Sequence, residues 1–223
     1  FSSKISPQWE SLYQEVGSTE SAAMSLLGTM DTVPTNETQK IFQLMNRYVV
    51  SSTGAALLLI DQERAHERVL YEMFLSNITH ASTSSQQLLF PIQIELNAIQ
   101  KALYAEYASL LTEVGFRLGD LKDNHVEVVG IPSICSENKA ISVFENLFET
   151  LANEHPEDSF SQTDLVAKSL ARTLSIKRGK RLEIEEQQQL INDLFACKET
   201  QLSPYNRQIF VSLTKEELEK KFN

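Results

Sequence analysis

Six apolar residues in a row, "AALLLI" from Ala55 to Ile60, run without a break into "DQERAHERVLYEMFL". A run this short, apolar at odd and even positions alike, leaves no polar face for water and predicts a strand in the middle of a sheet. The charged stretch after it predicts a helix. Asp61 is placed to cap it, because a carboxylate there can accept from the free amides two and three residues on. Glu63 falls in the first turn, where the helix dipole favours an anion. Leu70, Phe74, Val69 and Met73 supply the apolar stripe. A central strand that feeds directly into a helix is the unit around which the other elements have to be arranged.

The remaining pattern alternates strands and helices without a simple repeat. Ile41–Ser52 reads as one strand by its β-branched and aromatic content, with Ser-Ser-Thr-Gly turning after it. Gln86–Leu96 reads as a strand. The next helix keeps Ile99, Leu103, Leu110 and Val114 at three-to-four spacing and ends at Gly115. Residues 116–132 alternate like a hairpin. Residues 140–153 form a helix with Val143, Leu147 and Leu151 on one side, 163–175 and 185–197 are two more, and 207–213 is a late strand. This is an α+β chain with more than one small sheet. Residues 13–39 are rich in Ser, Thr and Glu and read as a linker with room for one short helix.

Charge and cysteine content narrow the function classes. A net charge of −10 opposes a duplex-binding surface, which needs a positive field to displace counterions. The one basic cluster is Lys177–Arg181, able to touch a phosphate or two but read here as a solvated helix end. Cys135 and Cys197 stand far apart and fit neither a disulfide framework nor a four-thiolate zinc site, which suits a reducing compartment. No apolar run approaches the length of a membrane span.

"LLLIDQERAHERVLYE" resembles the start of the C-terminal domain of MutL, the DNA mismatch-repair family. Nuclease members carry Asp-Gln-His-Ala-x-x-Glu-x-x-x-x-Glu there; Asp61, Gln62, Glu67 and Glu72 match, while Glu63 and Arg64 replace the His and Ala. "ARTLSIKRGKRL" is similar to the family's Ala-Cys-Lys/Arg segment, with Arg172 in the Cys position. "SPYNRQIFVSL" is similar to its Cys-Pro-His-Gly-Arg-Pro stretch, with Ser203 for the Cys and Tyr205 for the His. The resemblance covers roughly Ile41 to Phe222.

The resemblance implies a dimerisation subdomain made of residues 38–76 and 168–223, with a second subdomain, 77–167, inserted, and residues 1–39 as a linker remnant. It implies a homodimer that holds two N-terminal ATPase domains together, those domains lying outside this chain. It also implies docking to the bacterial sliding clamp, MutS as a further partner, weak or indirect DNA contact and a cytoplasmic, nucleoid-associated setting. In nuclease members the His and Glu of the helix, the Cys of the middle segment and the Cys and His of the last one surround zinc or manganese. Of that set only Glu67 is kept, with Glu63, Arg172, Ser203 and Tyr205 at the other positions. Arg172 brings a cation where a thiolate should be, and a neutral serine and tyrosine are poor zinc ligands. No catalytic residues, no metal and no cofactor are therefore expected. The alternative is a nuclease with hard ligands at Glu63, Glu67 and Glu72. Cys197, six residues before Ser203, reads as a small core residue rather than a replacement ligand, and His66 as a surface histidine. "QQLLFP" fits the clamp-docking pattern Gln-x-x-Leu-x-Pro: Gln86 offers an amide, Leu88, Leu89 and Phe90 offer apolar bulk, and Pro91 keeps the segment extended.

Overall fold

The computed structural model describes residues 40–52, 56–80, 83–154 and 159–223, and the expected linker over 1–39 lies outside them. Residues 39–223 form one compact unit. The fold is α+β, as expected, with two antiparallel sheets. The first has the order β1 (Ile41–Leu44), β2 (Tyr48–Ser52), β3 (Ala56–Asp61), β7 (Phe210–Thr214); the second has β4 (Ser85–Glu95), β6 (His125–Pro132), β5 (Arg117–Leu118). The helices are α1 (Gln62–His80), α2 (Ala98–Glu113), α3 (Ala140–Asn153), α4 (Ser159–Leu174), α5 (Ile184–Ala196) and the short α6 (Lys215–Glu219).

The apolar run behaves as its composition demands: β3 is central, paired with β2 on one edge and β7 on the other. Ile41–Ser52, expected as a single strand, is instead a hairpin. Met45 and Asn46 both take positive φ, 55° and 47°, and the Arg47 amide donates to the Leu44 carbonyl at 3.1 Å. Neither residue is glycine, so the turn is held from outside. The buried Gln62 side chain donates to the Asn46 carbonyl at 3.0 Å, and its backbone amide donates to the Arg47 carbonyl at 3.0 Å. A hairpin that depends on a residue beyond the next strand leaves no local turn signature.

Two cores result. Val49, Ile60, Ala65, Leu190, Ile191, Leu194 and Ile209 pack between the first sheet and α5. Leu70 and Phe74 join a larger core with the second sheet, α2, α3 and α4. The first turns of α1 thus belong to one core and its later turns to the other. Burying side chains of the size of Leu70 and Phe74 stabilises by roughly 1.5–3 kcal/mol each, so α1 binds the two halves together as well as lying in both. Asn97 caps α2 with a reciprocal bond to Gln100, and Glu183 and Glu186 do the same for α5. Gly115 ends α2 at φ +111°, and a Cβ there would lie 2.8 Å from Thr83 Cγ2, so both the conformation and the space require glycine.

In the second sheet β4 is an edge strand with a wide bulge. The four residues Leu88–Pro91 stand between the pairs Gln87↔Gly130 and Ile92↔Val128, where the partner strand has Val129 alone.

Candidate functional site

Asp61 caps α1 as expected, its Oδ1 accepting from the Arg64 amide at 3.2 Å. Arg47 and Arg64 approach the other carboxylate oxygen at 3.5 and 3.8 Å. Gln62 reaches across to the segment after α4, its side-chain amide shared among the carbonyls of Asn46, Lys177 and Lys180. Gln43 completes the tie: it donates to Gln62 Oε1 at 2.6 Å and to the Lys180 carbonyl at 2.8 Å, and accepts from the Leu182 amide at 3.1 Å. These bonds hold the segment 177–182 beside the start of α1, next to Glu63 and Glu67.

Around that junction lie the residues that the sequence resemblance set at the family's ligand positions. Glu63 faces cations, with Arg178 Nε at 3.0 Å and Lys177 Nζ at 3.8 Å. Glu67 is only 8% exposed; burial raises its pKa, opposed mainly by the Arg172 charge. Arg172 lies on the last turn of α4 with its guanidinium 5.3 Å over the Tyr205 ring. Burial pushes the Tyr205 hydroxyl up, with Arg172 pulling it back down. Ser203 is fully buried, its hydroxyl accepting from the Tyr205 and Arg207 amides at 3.3 Å each, which closes the turn where Asn206 takes φ 56°. A cleft of about 520 Å³ opens beside this cluster, lined among others by Arg172, Lys177, Tyr205, Thr150 and Glu154.

Two of the three carboxylates of the hard-ligand alternative are turned to different tasks. Glu63 pairs with Lys177 and Arg178. Glu72 accepts from the Lys198 and Glu199 amides at 2.7 and 3.1 Å and pairs with Arg68 at 3.6 Å. Among the described residues no three of His, Cys, Asp and Glu come together as a ligand set. Cys197 follows the last turn of α5 and its thiol donates to the Asp193 carbonyl at 3.3 Å; burial raises its pKa to about 11, so it is a thiol rather than a thiolate.

Two expectations need correction. Lys177–Arg181 is exposed, as expected, but it is not a helix end: it is the loop between α4 and α5, turning at Gly179 with φ +89°, and Lys177, Arg178 and Lys180 are ion-paired to Glu63 or Glu186. His66 is not a surface residue. It is partly buried and its Nδ1 accepts from the Ile176 amide at 3.0 Å. The sequence carries no signal for this, because the donor is a backbone amide 110 residues away. The clamp-pattern residues lie apart from this cluster, on the β4 bulge. Leu88 is buried there, Gln86 and Pro91 are exposed, and Leu89 and Phe90 stand 82% and 73% exposed.

Burial, and then the Lys180 charge, lowers the His66 pKa from 6.5 to about 4, so the ring is neutral in the folded chain. Between these values the unfolded chain binds the extra proton and the folded one does not. Stability contributed by neutral His66 is therefore complete above about pH 6.5 and is lost as the pH falls towards about 4. Urea unfolding at pH 7 and pH 5 is expected to show a loss on the order of 1–2 kcal/mol from this group, and His66→Gln should flatten that part of the profile. An unchanged slope in the variant would refute the assignment.

Residues 41–182 match the family described as MutL C terminal dimerisation domain. The chain is 38% identical over 226 residues to the DNA mismatch repair protein MutL of Christiangramia forsetii, an alignment that takes in 96% of this chain and 37% of that protein. It is 39% identical over 226 residues to that of Flavobacterium psychrophilum, with 97% and 37% covered, and 31% identical over 229 residues to that of Parabacteroides distasonis, with 96% and 37% covered. It spans a little over a third of the length of these relatives. No helix among the described residues is long and apolar enough to cross a membrane. The chain belongs to the MutL C-terminal dimerisation domain family.

Proposed function

We propose that this domain joins two chains of a mismatch-repair protein into a homodimer, without cutting DNA itself. The observation that carries the reading is the outer face of the first sheet, the face turned away from α5. Cross-strand pairing places Phe42, Val50, Leu59 and Val211 in one row on that face, flanked by Leu44 and Tyr48 on one side and Leu57 and Leu213 on the other. Phe42 is 50% exposed, Val211 40% and Leu44 39%. Val50, inside the row, is only 2% exposed, so it is the two ends, Phe42 with Leu44 beside it and Val211, that lie open to water, and apolar ends like these suit contact with another copy. Joining the chains converts encounters between two N-terminal ATPase domains into intramolecular ones at high effective concentration.

The division into a dimerisation part, 38–76 with 168–223, and an inserted part, 77–167, is supported by the sheets: β1, β2, β3 and β7 fall in the first and β4, β5 and β6 in the second. Absence of nuclease chemistry is supported by the donor set. Arg172, Ser203 and Tyr205 are the wrong types for zinc, and Glu63 is engaged by two cations. Docking to the sliding clamp is supported by the β4 bulge, which turns Leu89 and Phe90 outward on an edge strand where Pro91 interrupts the ladder. MutS is a further partner in this reading. With the four cations of the Lys177–Arg181 loop partly offset by Glu63 and Glu186 and a net charge of −10 on the chain, DNA contact is weak or indirect, and the protein works in the bacterial cytoplasm at the nucleoid.

Two measurements test this reading. Val211→Asp places a charge at the open end of the apolar row, and sedimentation should show the dimer dissociation constant rising roughly a hundredfold with the helical circular dichroism intact; a folded variant that associates like the parent would remove this end of the row from the interface. Leu89→Ala with Phe90→Ala should weaken binding to purified sliding clamp by about tenfold or more. Undiminished clamp affinity would end the docking proposal.

A further inference from the structure

The two edges of the first sheet differ. At the β1 edge the 177–182 loop is tied on through Gln43. At the β7 edge no strand pairs among the described residues, and "FVSLT" carries none of the guards that edges usually have: no proline, no lysine, no bulge.

The hydrogen-bond parity fixes which backbone groups face out. The Asp61 amide donates to the Ile209 carbonyl at 2.9 Å, and in the same register Leu59 pairs with Val211 and Leu57 with Leu213. In an antiparallel ladder, bonded pairs alternate. Val211 and Leu213 therefore direct their backbone groups at β3, as Ile209 does its carbonyl while its amide donates to the Gln201 carbonyl at 2.7 Å, and Phe210 and Ser212 direct theirs at the open edge. The far side of β3 agrees: the Gln62 amide donates to the Arg47 carbonyl, which puts Ile60 and Leu58 in bonded pairs with β2. Thr214, the next residue whose backbone faces outward, already gives its amide to Glu217 in the cap of α6.

Resting on the dimer reading, we propose that β7 is the seam: it pairs antiparallel with β7 of a second copy about a two-fold axis at Val211. In that register Phe210 of each copy pairs with Ser212 of the other, giving four backbone hydrogen bonds and using every free edge group of both residues. The offset register that brings two Ser212 residues together would need the Thr214 amide, which is taken. Val211 then faces its own copy at a non-bonded position, where side chains come closest. The outer row Phe42, Val50, Leu59, Val211 continues through the axis in reverse order, so the exposed apolar faces become neighbours on one side of a single eight-stranded sheet. A strand that is complementary to itself gives a closed, isologous contact, which an unrelated peptide on the same edge would not.

Ser212→Pro and Val211→Cys separate this proposal from its premise. The Ser212 N–H does not serve β3, so proline leaves the internal ladder whole and removes one donor per copy at the seam. Sedimentation should show the dissociation constant of Ser212→Pro raised by roughly a hundredfold with secondary structure unchanged. Val211→Cys should form an interchain disulfide under mild oxidation at micromolar concentration, since non-bonded partners bring Cα atoms to about 4.5 Å, while the parent chain with Cys135 and Cys197 should not. If the parent dimerises, Ser212→Pro dimerises equally well and Val211→Cys stays unlinked, the seam is wrong and the dimer stands. Should Ser212→Pro fail to fold, the cysteine variant decides alone. A monomeric parent overturns the dimer reading itself.

Discussion

Everything near the junction of β3 and α1 hangs on Gln62. Its side chain is fully buried, and within the protein it is bonded to Gln43, to the β1–β2 turn and to the loop after α4. An unpartnered buried amide costs about 1–3 kcal/mol, so these contacts are worth keeping together as a set. They hold the 177–182 loop against the first turn of α1, support two non-glycine residues at positive φ, and set Glu63 and Glu67 beside Arg172, Lys177 and Arg178. Asp61, immediately before, caps the helix and is faced by Arg47 and Arg64.

In the proposed reading, that framework lets a ligand cluster be replaced without loss of the local fold. A metal joins groups from distant segments by its charge. Here fixed charges join the same segments: Glu63 with Lys177 and Arg178 across from α1 to the loop, and Arg172 over Tyr205 from α4 to the 203–207 turn. Ser203 closes that turn by accepting two backbone amides, where a thiolate would instead have been aimed at an ion. Glu67, buried and with its pKa raised by burial against the Arg172 charge, makes no hydrogen bond or ion pair among the described residues. In the proposed reading it is what remains of the earlier chemistry.

Local rules make much of the fold legible in the sequence. Apolar residues at both parities announce a central strand at 56–61, and the aspartate after it announces the cap. Gly115 and the three-to-four spacing before it mark the end of α2. Legibility fails where the cause is remote. The hairpin at 41–52 has no turn residues because Gln62 holds it, and His66 looks solvent-facing because its donor is Ile176. The basic loop looks free because Glu63 and Glu186, its counter-charges, come from two separate helices. At the candidate site, residue types can be read from the motif positions, whereas their new partners can be read only from the fold.

The central claim is that fixed charges have taken the place of a metal in a domain whose work is self-association. Sedimentation equilibrium at micromolar concentration, with metal analysis of the same dialysed sample, tests both halves at once. The account predicts a dimer with zinc and manganese far below one per chain. A single-chain species, or either metal retained in stoichiometric amount, would contradict it.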